Sequence, residues 1–331
     1  MVKHSNLIYA VKDGKVIHIS AVESGLSCGC TCPACGESLV AKKGQKMMHH
    51  FAHKSGSDCE YGYETSLHLA AKEILREAKQ FKIPAVYVEF PKSYKEKEKI
   101  SDERIIPIDD VALEQRCGDV VPDIVINSKG QTLFVEIFVT HKVDDDKLEK
   151  IRKQGISTIE IDLSSLDEDL VYDNLPDILI NNCNLKAWVY NSFAQKQLKR
   201  FYEVADQRLI GFNGEDWVEG CPLELKKLEG ETPYARAFRD CLECEFCIEY
   251  NGNNVLCTGN QNISKLSDFD ISEHVRKEKI QYRADCIRKK RIRNGICPNC
   301  GGWLFVRNGY KGEFLGCSNY PECKFTTDLK Q

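Results

Sequence analysis

At 331 residues the chain exceeds one typical domain, and 42% hydrophobic with 29% charged residues describes a soluble protein with a real core. No run of apolar residues is long enough to span a bilayer and no basic leader precedes an apolar stretch, so neither a membrane span nor a secretory signal is expected, and a cytoplasmic location is. A net charge of −4 excludes a uniformly basic nucleic-acid binder, and seven of the seventeen cysteines stand at Cys-x-x-Cys spacing (32/35, 241/244/247 and 297/300) with Gly and Pro nearby, which is metal spacing rather than disulfide spacing.

Residues 6–22 alternate loosely and predict two small strands. Cys32-Pro-Ala-Cys35-Gly follows, a turn that places two sulfurs on one side at tetrahedral spacing, as in a zinc knuckle. Cys32 and Cys35 need two more ligands from His49, His50, His53 and Cys59; His53 with Cys59 is the favoured pair, and His50 with His53 the alternative. Cys28 and Cys30 are surplus. From Glu64 to about Gln80 good helix formers dominate, with Leu67, Ala71, Ile74 and Ala78 as the core stripe. Glu64, His68 and Lys72 recur at i, i+4 and i+8, so one helix face carries an acid, an imidazole and an amine.

After a strand at 86–90 and a polar lysine- and glutamate-rich loop, 105–115 reads as strand. Two β-rich runs, 124–126 and 132–139, then flank a Ser-Lys-Gly turn and predict a hairpin. Asp123 opens the first strand and Glu136 sits inside the second, otherwise apolar one. A carboxylate there is costly to bury unless it is paired or binds a metal, and two carboxylates brought together repel until a divalent cation intervenes. The plainer alternative is an exposed strand face carrying ordinary polar residues. Residues 144–153 have an acidic start and a basic end, the polarity of a helix, which Gly155 ends. Residues 158–163 are the next strand, giving an α/β unit of helix, strands, helix and strand.

The acidic stretch 165–185 reads as turn-rich, without evident chemistry. Residues 188–205 read as a linker helix carrying Lys196, Lys199 and Arg200. A second cysteine cluster follows, for which Cys221, Cys244, Cys247 and Cys257 are the preferred zinc ligands; Cys241-x-x-Cys244 is an equally legal pair. Between Arg276 and Asn294 nine Lys or Arg stand against two acids, a local charge of +7 that can attract phosphate. The run includes Arg288, Lys289, Lys290, Arg291 and Arg293. It leads into Cys297, Cys300, Cys317 and Cys323, spaced Cys-x2-Cys-x16-Cys-x5-Cys with glycines at the turns, which is a zinc ribbon. A module this small has little core and depends on its metal to fold. Its aromatics Trp303, Phe305, Tyr310, Phe314 and Tyr320, interleaved with Arg307 and Lys311, suit base stacking with phosphate attraction, a recipe for single strands.

Residues 30–165 resemble the nuclease-like domain of the competence-associated CoiA-like family. The likeness rests on the Cys-x-x-Cys knuckle, the run His50-Phe-Ala-His53, Glu64 with His68, Pro122-Asp123 and Glu136-Ile137. The wider resemblance is to the PD-(D/E)xK endonuclease fold, and Cys297-Pro-Asn-Cys300-Gly-Gly, Gly316-Cys317-Ser and Tyr320-Pro-Glu-Cys323 resemble the ribbons of type IA topoisomerases. The fold class implied is α/β: a restriction-endonuclease-like core with an N-terminal zinc knuckle, a middle cysteine cluster and a C-terminal zinc ribbon. The expected domains are 1–60, strands and knuckle; 61–165, the nuclease-like core; 166–215, acidic segment and linker helix; 216–294, a cysteine-rich zinc module with basic tail; and 295–331, the ribbon.

The resemblance implies that Asp123, Glu136 and the Ile137 carbonyl hold magnesium or manganese, with Glu64 assisting and His68 donating to a carboxylate. It departs at Phe138, where the family pattern has lysine. Lys72 or Lys147 would then supply the charge; Lys142, six residues along an extended strand from Glu136, would be ~20 Å away. The implied function is a metal-dependent DNA-processing protein, an endonuclease that binds single strands through its ribbon. The alternative is a non-cleaving single-strand-binding adaptor for recombination or repair. Two or three structural zincs are expected, with DNA as the partner and recombination or defence proteins as further candidates.

Overall fold

The computed structural model describes residues 6–57, 59–140, 142–211, 216–227, 232–310 and 312–329, and its chain divides into two compact units. The first comprises Met1–Val86 with Ile100–Ser192, the second Tyr87–Lys99 with Phe193–Gln331. The N-terminal strands and knuckle lie in the same unit as the α/β core. Among the described residues no helix is long and apolar enough to cross a membrane.

The first unit opens with the hairpin β1 (Tyr9–Lys12) and β2 (Lys15–His18), then the pair β3 (Leu39–Lys42) and β4 (His50–His53). Helix α1 (Gly62–Glu77) buries Leu67, Ala70, Ala71 and Leu75, one stripe at helical spacing. The segment expected as one strand at 105–115 is two: β6 (Arg104–Pro107), paired with β5 (Gln80–Ile83), and β7 (Asp110–Leu113). The central sheet then runs β7, β8 (Ile124–Ser128), β9 (Gln131–Phe138), β10 (Thr158–Asp162) and β11 (Lys186–Tyr190).

The hairpin of β8 and β9 turns at Lys129 and Gly130, both at positive φ (49° and 74°), the geometry of a two-residue turn that matches strand twist. β9 and β10 are parallel, and the crossover is α2 (Asp145–Gln154). The Asp144 carboxylate caps that helix through Lys147 N at 2.7 Å, and Gly155 closes it in the left-handed conformation (φ 69°).

Two expectations fail here. The stretch expected to be turn-rich contains α3 (Glu168–Asn181), whose Val171, Leu175 and Leu179 are buried in the unit's core. Their i, i+4, i+8 stripe outweighs Pro176, which lies inside the helix. Trp188 belongs to the edge strand β11, and the helix α4 (Ser192–Val204) starts only afterwards. One continuous core joins Ile8, Leu39 and Phe51 of the N-terminal strands to α1, the central sheet and α3.

The second unit has a five-stranded sheet ordered β14 (Tyr234–Arg236), β13 (Trp217–Glu219), β12 (Asp206–Gly211), β16 (Asn254–Cys257) and β15 (Cys247–Tyr250). Helix α5 (Glu273–Arg293) carries the basic run, and three antiparallel strands, β17 (Leu304–Gly309), β18 (Gly312–Cys317) and β19 (Thr326–Asp328), form the ribbon.

Candidate active site and metal centres

In the first unit a cavity of about 500 Å³ is lined by Glu64, His68, Asp123, Glu136, Ile137, Lys142, Lys147 and Glu160. Asp123 sits just ahead of β8, where the antiparallel pairing brings it against β9. Its Oδ2 accepts from Ile137 N at 2.9 Å and lies 3.0 Å from His68 Nε2, while Oδ1 pairs with Lys72 Nζ at 3.1 Å. Burial alone would raise the Asp123 pKa, but His68, the Ile137 N–H and Lys72 outweigh it and hold the carboxyl well below its ordinary range. Lys72 is itself buried and also reaches Glu114 Oε1 at 2.7 Å, so α1 clamps Asp123 through two side chains one helical turn apart.

Glu136 differs. Its side chain is 5% exposed, Oε2 accepts from Lys147 Nζ at 2.7 Å, and Oε1 is buried with no hydrogen-bond partner among the described residues. Burial pushes its pKa up to about 7, against the pull of Lys147. A buried carboxylate oxygen left without a donor costs about 1–3 kcal/mol or more, and a cation is the group that would satisfy it. The donor set of carboxylate oxygens, beside a peptide carbonyl, suits magnesium or manganese.

A cation held by Glu136 would require its ionised form, so any magnesium affinity here would rise about tenfold per pH unit up to about 7 and level off above it. Calorimetric titrations at several pH values check this, and Glu136→Gln should flatten the profile. The metal-free fold responds in the opposite sense. A carboxyl held up in the folded state stabilises it below the ordinary carboxylate range, and the contribution is lost as pH rises through about 7.

Glu64 accepts from the Thr140 hydroxyl at the same cavity. Two acids were missed in the sequence. Glu160 is the parallel-register partner of Glu136 on β10, so both point to one face, and its Oε2 accepts from Val143 N at 3.1 Å. Glu114 reaches the site only through Lys72. Each becomes visible only from the strand pairing. Lys142 requires a correction: the strand ends at Phe138, the chain turns, and Lys142 lines the cavity instead of lying far along an extended strand. Its Nζ stands 5.3 Å from the centre of the Phe138 ring, over the position where lysine was expected.

The N-terminal knuckle brings together Cys32, Cys35, His53 and Cys59, with ligand atoms within 4.8 Å of one another. Cys35 Sγ is 3.4 Å from His53 Nε2, and the group drawn together among the described residues includes His53 with Cys59 and not His50. The surplus Cys28 is buried and donates to the Leu39 carbonyl at 3.3 Å.

In the ribbon Cys297, Cys300, Cys317 and Cys323 also lie within 4.8 Å, with Cys297 to Cys323 at 3.7 Å and Cys300 to Cys317 at 3.3 Å. Both groups have the donor set and spacing of structural zinc sites. Cys221, Cys244, Cys247 and Cys257, with Cys241, instead surround a cavity of about 30 Å³ in the second unit.

On the ribbon Trp303, Phe305, Tyr310 and Tyr320 are 64%, 55%, 105% and 65% exposed, while Phe314 is half-buried. Arg307 stands opposite Phe314 and shares the Trp303 and Phe305 face by strand alternation; its guanidinium also donates to the Cys317 carbonyl at 3.0 Å. Lys311 lies outside the described residues. On α5 Lys289, Lys290 and Arg293 are exposed. Arg291 pairs with Asp240 (3.1 Å) and donates to the Leu225 carbonyl, and Arg288 donates to Asn299 at 3.1 Å.

Residues 294–331 match the family model described as topoisomerase DNA binding C4 zinc finger, and residues 23–62 match that of the competence protein CoiA, N-terminal domain. The chain is similar to DNA topoisomerase 1 of Archaeoglobus fulgidus, 46% identical over 68 residues, which cover 20% of this chain and 8% of the relative. It is also similar to DNA topoisomerase 1 of Methanocaldococcus jannaschii, 57% identical over 36 residues (11% of this chain, 5% of the relative). An uncharacterised protein of Escherichia coli, YrdD, is 51% identical over 37 residues, 11% of this chain and 21% of that protein. The matched segments thus span well under two thirds of the relatives. No solved structure matches the chain.

Proposed function

We propose that the chain is a divalent-metal-dependent endonuclease of the PD-(D/E)xK kind that holds single-stranded DNA on its C-terminal ribbon. The observation carrying this reading is the buried Glu136 oxygen without a donor, in a cavity shared with Asp123. The order of helix, antiparallel strands, crossover helix and parallel strand in the first unit supports it, as do the two family-model matches.

Asp123, Glu136 and the Ile137 carbonyl would hold magnesium or manganese, with Glu64 and Glu160 reaching it directly or through water. The cation, when bound, acidifies a water and screens the phosphate charge. His68 and Lys72 keep Asp123 ionised and oriented. Lys147 is tied to Glu136 at 2.7 Å, so its ammonium stands at the cavity where it would steady the phosphorane oxygens once Glu136 were engaged elsewhere. Lys142, over Phe138, is placed to do the same.

Magnesium-dependent cleavage of a single-stranded substrate by Lys72→Met, Lys142→Met and Lys147→Met variants tests these roles. Lys147→Met should lose ~10²-fold in cleavage with DNA binding intact, Lys142→Met less. Lys72→Met should also destabilise the fold by about 3 kcal/mol, since it leaves the largely buried Asp123 carboxylate with one partner fewer. Wild-type protein that binds DNA tightly but cuts nothing with magnesium or manganese would favour the adaptor reading, which Phe138 at the lysine position supports.

On the ribbon, the exposed aromatics and Arg307 would stack bases and meet phosphates, assisted by Lys289, Lys290 and Arg293 of α5. Removing residues 295–331 should weaken single-strand affinity ~10-fold or more and flatten its salt dependence. Unchanged affinity at two salt concentrations would place the binding surface elsewhere.

A further inference from the structure

At both tight cysteine groups the sulfurs receive a backbone N–H from two residues ahead. Gly302 N donates to Cys300 Sγ and Asn319 N to Cys317 Sγ, each at 3.4 Å. Ala34, Glu37 and Asn299 do the same for Cys32, Cys35 and Cys297. Such a bond favours an anionic sulfur over a neutral thiol, so it prepares a cysteine to be a metal ligand.

Three cysteines of the middle cluster carry the same feature. Gly259 N donates to Cys257 Sγ at 3.4 Å, Leu223 N to Cys221 and Phe246 N to Cys244, while the Cys247 thiol donates to the Glu249 carbonyl at 3.7 Å. Turns of the knuckle type recur here: Glu224 N bonds the Cys221 carbonyl, Cys247 N the Cys244 carbonyl and Cys244 N the Cys241 carbonyl, each at 3.0 Å, so the turn alone does not separate Cys241 from the others. Cys247 and Cys257 are cross-strand partners on β15 and β16. The groups acting most strongly on the fifth thiol, Cys241, are burial and the other four cysteines, with no backbone donor among them.

We propose that Cys221, Cys244, Cys247 and Cys257 bind a third structural zinc, with Cys241 outside the ligand set. Their sulfurs are drawn together less tightly than those of the other two groups and surround the ~30 Å³ cavity, across which the metal would pull them inward. A zinc held by four thiolates carries two net negative charges, and the surroundings supply two cations. The Arg208 guanidinium interacts with Cys257 and acts on Cys221, and the Lys95 ammonium acts on Cys247. Arg208 is fixed by the Gly220 carbonyl at 2.6 Å. Burying four thiols beside two fixed cations is costly in an apolar core and favourable around a metal thiolate centre.

Elemental analysis of the purified full chain should give three zincs, and Cys244→Ser or Cys257→Ser should lower this to two. Cys241→Ser should keep three. Cobalt exchanged into wild-type protein should show thiolate-to-metal charge-transfer absorption, and its intensity should fall in Cys244→Ser but not in Cys241→Ser. Two zincs in wild type, together with five middle thiols alkylated by iodoacetamide in the native protein, would overturn the site even if every serine variant misfolded. Loss of one zinc in Cys241→Ser with three retained in Cys247→Ser would overturn the ligand assignment.

Discussion

Asp123→Asn combined with Glu136→Gln is expected to abolish measurable magnesium binding and to lower cleavage by ~10²-fold or more, a loss of at least ~2.7 kcal/mol in transition-state stabilisation. Asn at 123 keeps the shape and one acceptor oxygen but gives up the charge that His68 and Lys72 stabilise. Gln at 136 keeps a carbonyl for Lys147 and replaces the oxygen without a donor by an amide. Folding should survive, because neither change empties volume from the core; thermal melting of the two proteins without metal checks that point. Calorimetry gives the magnesium affinity independently of turnover. Full cleavage by the double variant would mean that the reacting centre lies elsewhere.

The other large effect concerns the ribbon. Cys297→Ser with Cys300→Ser removes half of a ligand set whose zinc contributes on the order of 10 kcal/mol to folding of such modules. Among the described residues the buried apolar side chains there are few: Leu304 is the one large aliphatic residue enclosed with the cysteines, and Ile292, Leu315 and Phe325 are partly buried against that cluster. The ribbon should therefore lose its β structure and one zinc per chain, while the first unit keeps its cooperative unfolding. Hydrogen exchange resolved by peptide should show fast exchange confined to the C-terminal segment. Loss of protection across α1 and the central sheet would contradict this.

Cysteine spacing announces a metal centre without any knowledge of the fold, because the knuckle turn is local and both sulfurs come from it. The Asp123 and Glu136 hairpin was legible for the same reason: Lys129 and Gly130 fix the turn, and the apolar run makes the one acid conspicuous. Glu160 was hidden because its place beside Glu136 depends on a parallel register set by the length of α2. Lys142 was misplaced because the sequence does not announce that β9 stops at Phe138. Helix α3 was masked by its acids and Pro176, which locally argue for turns, whereas its stripe of Val171, Leu175 and Leu179 gains its weight only from the core it meets.

The pairing of Lys147 with Glu136, and of Lys72 with Asp123, gives the cavity internal counter-ions. With both amines in place each carboxylate has a counter-ion before any cation arrives, and only Glu136 Oε1 waits for a partner among the described residues, so the surrounding unit is expected to hold its shape without magnesium. The cysteine ribbon has no such substitute. A chelator weak enough to spare zinc should therefore silence the cavity reversibly, and re-addition of magnesium should restore it without refolding. A chelator strong enough to strip the ribbon should leave a chain that needs renaturation. The two treatments would separate the protein's dependence on a working ion from its dependence on a building one.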